Sequence, residues 1–132
     1  MESATLPDPD PQALSGYSIL VVEDDYFIAQ DLASTLREFG AHVIGPVPDV
    51  GRARSLAKQH DLHCAILDIN LKGQLAFDLA GDLAATGVRP IFATGYDASF
   101  VPNELQALSC LLKPVAVRDL VQTIRIGAKS LR

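Results

Sequence analysis

Cysteine, basic charge and long apolar runs are all scarce in this chain, and each scarcity excludes something. The two cysteines, Cys64 and Cys110, stand in the apolar runs H-C-A-I-L and L-S-C-L-L. Their spacing suggests no zinc site, redox dithiol or disulfide framework, so both read as buried reduced thiols and fit a cytoplasmic location. Lys and Arg number 11 against 16 Asp and Glu, a net charge of -5. That balance argues against nucleic acid as a partner, because such binding draws its affinity from cations on phosphates. No apolar run approaches the roughly eighteen residues of a membrane span, so no membrane insertion is expected. The nucleotide-binding patterns G-x-G-x-x-G and G-x-x-x-x-G-K-[ST] are both missing. The opening M-E-S-A-T-L-P-D-P-D-P-Q is acidic, proline-rich and without the apolar centre of a signal peptide. Residues 1–15 are therefore expected to be a flexible N-terminal tail, and residues 16–132 a single domain.

What the chain does have is alternation. Short apolar runs fall at 18–22, 42–46, 63–67, 90–93 and 109–112. Most are apolar at consecutive positions, which means burial on both faces, as in a parallel sheet covered by helices. Between them lie helical stripes: Ile28, Leu32, Leu36 and Phe39; Val50, Ala53 and Ala57; Ala76, Leu79, Ala80 and Leu83; and Val117, Leu120, Val121, Ile124 and Ala128. Asp49 is placed to cap the second helix, and Gly40 and Gly87 to end the first and third. Pro102 interrupts the segment 97–108, which reads as a long loop followed by a short helix from about Asn103. The pattern predicts an α/β fold, a flavodoxin-like (βα)5 doubly wound parallel sheet of strand order 2-1-3-4-5.

In such a sheet ligands gather outside the C-terminal ends of the strands. Glu23, Asp24 and Asp25 follow the first strand, Asp68 the third, Thr94 and Gly95 the fourth, and Lys113 and Pro114 the fifth. Each alone has an ordinary reading: acids cap helices, Thr94 suits a strand, Lys113 a solvated surface, and Pro114 a helix block. Together they fall on one edge. Two carboxylates about 4 Å apart repel by roughly 4 kcal/mol at an effective dielectric near 20. Several around one point need a cation or protons, and hard oxygen ligands with room for water suit Mg²⁺. A nearby ammonium and hydroxyl suit a phosphoryl group, with one carboxylate as nucleophile.

The series I-L-V-V-E-D-D, L-D-I-N-L, F-A-T-G-Y and L-L-K-P, within residues 17–130, resembles the receiver domain of two-component response regulators. The resemblance implies that Asp68 accepts phosphate. It implies Mg²⁺ held by Asp24 directly, by Glu23 through water or the outer sphere, by Asp68, and by the backbone carbonyl of Asn70. Thr94 and Lys113 would contact the phosphoryl group, and the Lys113–Pro114 peptide would be cis. Asp25 is left to cap a helix. The F-A-T-G-Y stretch is similar to that of single-domain receivers served by histidine kinases of the HWE or related type.

Three positions depart from the family. Cys110 stands where an aromatic switch residue is usual, Lys72 where proline is usual, and bulky Tyr96 two residues after Thr94. Tyr96 is a candidate for the missing aromatic and for slowing hydrolysis of the aspartyl phosphate, and Lys72 implies a looser, more basic loop. The expected function is that of a single-domain phosphoacceptor signalling through protein contacts, with no DNA-binding output domain. It would be no enzyme beyond self-phosphorylation and autodephosphorylation. Its partners would be a histidine kinase or phosphotransfer protein and a downstream protein, and it would be a monomer or weak dimer. The alternative is a phosphorylation-independent binding module. A haloacid-dehalogenase-like phosphatase is disfavoured, because its D-x-D-x-[TV] follows the first strand, whereas L-D-I-N-L follows the third.

Overall fold

The computed structural model describes residues 9–95 and 109–126. Tyr96, the segment 97–108 with its expected helix, and Ala128 lie outside the described residues. The strands are β1 (Ser18–Val22), β2 (His42–Val47), β3 (Cys64–Leu67), β4 (Asn70–Leu71), β5 (Gln74–Leu75), β6 (Arg89–Thr94) and β7 (Ser109–Leu112). The helices are α1 (Tyr26–Glu38), α2 (Val50–Gln59), α3 (Phe77–Ala85) and α4 (Val117–Ile126). The main sheet has the order β2-β1-β3-β6-β7 and its neighbours pair in parallel, which is the predicted 2-1-3-4-5 order.

Strand geometry sends successive side chains to opposite faces, and the two faces build two cores. Leu20, Val22, Ala65, Leu67 and Phe92 join Val50 and Ala53 of α2 and Leu79, Ala80 and Leu83 of α3. Ile19, Val21, Cys64, Ile66, Ile91 and Ala93 join Leu36 of α1 and Leu120, Val121 and Ile124 of α4. The helices stop where their sequence says. Gly40 and Gly87 have φ of 93° and 89°. The amides that follow, Ala41 and Val88, donate back to Leu36 and Leu83 at 3.1 and 2.9 Å. Asp49 caps α2 by accepting from the Arg52 amide at 2.8 Å.

Two expectations change. The buried face of α1 is Ala29, Ala33 and Leu36, not a stripe beginning at Ile28. The small alanines let the helix backbone approach the sheet, and Tyr26, Phe27 and Ile28 are left facing water. Residues 9–15, read as tail, are seated on the domain. Leu14 is fully buried in the α1–α4 core, and its amide donates to the Phe39 carbonyl at 2.8 Å. Proline and acid content marked this segment as loose, but one leucine in the core outweighs that composition.

Candidate functional site

The last rungs of the central strands fix where the polar residues emerge. Val22 pairs with Leu67, and Leu67 with Phe92. The Asp68 amide donates to the Val22 carbonyl at 3.0 Å, and the Glu23 amide to Val47 at 3.0 Å. Glu23 and Asp68 therefore leave the sheet side by side. Ligand oxygens of Glu23, Asp24 and Asp68 all lie within 4.8 Å of one another. Lys113 arrives from the end of β7, where its amide donates to the Thr94 carbonyl at 2.9 Å. Its Nζ bonds Asp68 Oδ2 at 2.9 Å and also Glu23 Oε1.

Electrostatics here are dominated by burial. Glu23 is 4% exposed. Burial pushes its carboxyl above the usual range; the Lys113 hydrogen bond, the Asp25 amide and the lysine's charge pull it down, while the charge of Asp68 raises it further. Burial alone would lower the Lys113 ammonium, but hydrogen bonds to Glu23 and Asp68 and their charges more than offset it, so its pKa is raised. Lys113 is held as a cation. Among the described residues, the one ammonium faces three acids, and a hard divalent cation would balance the remaining negative charge. The donor set therefore fits Mg²⁺.

Each acid is oriented by one backbone amide. Asp25 donates to Glu23 Oε2 at 3.0 Å, Lys72 to Asp24 Oδ2 at 3.0 Å, and Asn70 to Asp68 Oδ1 at 3.3 Å. Asp25 itself caps α1, accepting from the Ile28 amide at 3.0 Å, the role expected for it. Thr94 is fully buried at the end of β6. Cys110 is half-buried, pairs in register with Phe92, and packs on the core that Phe92 and Phe77 share. Those two rings meet edge-on, with centroids 5.9 Å apart. An aromatic thus stands beside position 110 rather than at it. The Lys113–Pro114 peptide is cis, as expected. Among the described residues, a Cβ added at Gly95 would meet nothing within 4 Å. Tyr96 lies outside the described residues.

Sequence reasoning missed two features of this edge. Asn70–Leu71 and Gln74–Leu75 form a small antiparallel hairpin. Its two-residue K-G turn, with glycine second, was the available signal. The other is the apolar first turn of α1, where Tyr26 is 68% and Phe27 81% exposed.

The comparisons agree with this geometry. The transcriptional regulatory protein PdtaR of Mycobacterium tuberculosis is 29% identical over 132 residues, covering 97% of this chain and 64% of PdtaR. This chain thus spans just under two-thirds of the length of that relative. The solution structure of SdrG from Sphingomonas melonis Fr1 is 30% identical with a TM-score of 0.73, over 86% of this chain and 95% of SdrG. The BeF3-activated conformation of SdrG from Pseudomonas melonis Fr1 is 28% identical with a TM-score of 0.73, over 84% of this chain and 95% of that one. Receiver domains bind Mg²⁺ at an acidic pocket and interact with histidine kinases or phosphotransfer proteins. Residues 19–125 match the response regulator receiver domain, and the chain belongs to that family.

Proposed function

We propose that this chain is a phosphoacceptor that takes a phosphoryl group on Asp68 and signals through protein contacts rather than a DNA-binding output domain. The observation that carries the reading is the Lys113 ammonium bridging Glu23 and Asp68 beside Asp24. An Asp68 carboxylate oxygen attacks the phosphorus of a phosphohistidine. The P–N bond breaks and the imidazole leaves with its electron pair. Lys113, already hydrogen-bonded to Asp68, neutralises charge on the transferred group. Bound Mg²⁺, held by Asp24, Asp68, Glu23 and the Asn70 carbonyl, would screen the phosphoryl oxygens from these acids.

The chain would be no turnover enzyme beyond self-phosphorylation and autodephosphorylation. F-A-T-G-Y supports a reading as a single-domain receiver served by an HWE-type or related kinase, in which Tyr96 and Cys110 would be switch-associated residues and Gly95 and Pro114 structural ones. Thr94, buried here, would reach the phosphoryl group in the phosphorylated population. The exposed Tyr26–Phe27 pair, one turn from the acids, is the proposed docking face for the donor.

Incubation with acetyl phosphate and Mg²⁺, read by intact mass, tests the reading. The parent should gain one phosphoryl group and Asp68→Asn none. Labelling of Asp68→Asn equal to the parent would remove Asp68 from its role. A parent that never labels, and whose amides ignore beryllofluoride, would favour a phosphorylation-independent module.

A further inference from the structure

Lys72 has a left-handed backbone, with φ of 53°, and Gly73 follows at 85°. Positive φ at both central residues is the pattern of a type I′ hairpin turn. Glycine, asparagine and aspartate accept that region readily, whereas lysine seldom does. Something must hold Lys72 there, and two hydrogen bonds do. The Gly73 amide donates to Asn70 Oδ1 at 2.9 Å, closing the turn from within. The Lys72 amide donates to Asp24 Oδ2 at 3.0 Å, across 48 residues of sequence. The turn is thereby tied to one acid of the cluster.

We infer that the hairpin β4–β5 is a positioning element for the cation, with the Lys72 backbone amide fixing the Asp24 carboxylate. The inference rests on the metal reading proposed above. With Oδ2 engaged by a charge-assisted bond, the carboxylate has one rotational position and Oδ1 remains for a cation. Glu23 and Asp68 receive their orienting amides from residues two further along the chain, Asp25 and Asn70. Among these three bonds, only that of Asp24 comes from a residue distant in sequence, 48 positions on. Outer-shell bonds of this kind tune affinity because a ligand that is already aimed loses less freedom on binding. The side chain of Lys72 has no part in the bond, so any residue that keeps the N–H and tolerates positive φ can serve. Proline can do neither.

Mg²⁺ titration of the full chain, followed by amide spectra, tests this with Lys72→Pro and Lys72→Gly. Lys72→Pro should weaken Mg²⁺ binding about tenfold or more, the range for lost outer-shell contacts. Lys72→Gly should stay within about threefold of the parent, since it keeps the N–H and the turn. Independently of folding in the proline variant, the Lys72 amide should exchange slowly with solvent in chelator-treated parent protein and rapidly in Asp24→Ala. Equal Mg²⁺ affinity in parent and Lys72→Pro, or an unprotected Lys72 amide in the parent, would overturn the inference and leave the metal reading standing. A parent that does not respond to Mg²⁺ would remove the metal reading itself.

Discussion

At the scale of single residues, burial decides which groups are chemically available. Burial drives the Cys64 thiol up to about 12, with Arg89 pulling it back only in part. A thiol raised in the folded state stabilises the fold below its unfolded value of 9.0 and withdraws that stabilisation as pH climbs toward about 12. Two outcomes are expected. Iodoacetamide at about pH 8 should leave Cys64 untouched until denaturant is added. Between pH 9.0 and about 12, unfolding free energy should fall more steeply in the parent than in Cys64→Ala. Matching slopes would mean the thiol is not buried as described. The apolar run around Cys64 made its burial legible beforehand. The buried Glu23 was legible only as an acid after a strand. Its cationic partner, Lys113, lies 90 positions away.

At the scale of elements, hydrophobic periodicity revealed the regular pieces and missed the irregular ones. The strands of the main sheet and helices α1 to α4 follow from runs and stripes in the sequence. The hairpin β4–β5 does not, because two-residue strands carry no period. The start of α1 was misread for a related reason. Ile28, read as the first residue of the buried stripe, is exposed, whereas Ala29 and Ala33 pack beside Leu36, with Leu32 and Phe39 against the same core as expected. Phe27 at 81% exposure contributes little to folding, so Phe27→Ala should change stability by less than about 0.5 kcal/mol. It should slow phosphotransfer from a protein donor about tenfold, roughly 1.4 kcal/mol of docking energy, while labelling by acetyl phosphate is unchanged. A loss with both donors would place the effect in the chemistry and not in docking.

At the scale of the whole molecule, the domain begins earlier than composition suggests. Leu14 sits in the same core as Ile19, Val21 and Leu120, and the carbonyl of Phe39 receives its amide. A fully buried leucine truncated to alanine costs about 2–5 kcal/mol. Leu14→Ala should lower the urea midpoint accordingly with an unchanged slope. A loss under about 0.5 kcal/mol would return residues 9–15 to the status of a tail.

The two-sided packing of the sheet has a consequence for how a signal is routed. Thr94 shares its parity with Phe92, which packs in the layer of α2 and α3 with Phe77 and Cys110. Ala93, between them, addresses the layer of α1 and α4. A displacement that started at Thr94 would meet the layer of α2 and α3 first, while the helix that presents Tyr26 and Phe27 packs on the other side. On the proposed reading, the sheet would stand between the face that receives a donor and the layer that Thr94 addresses.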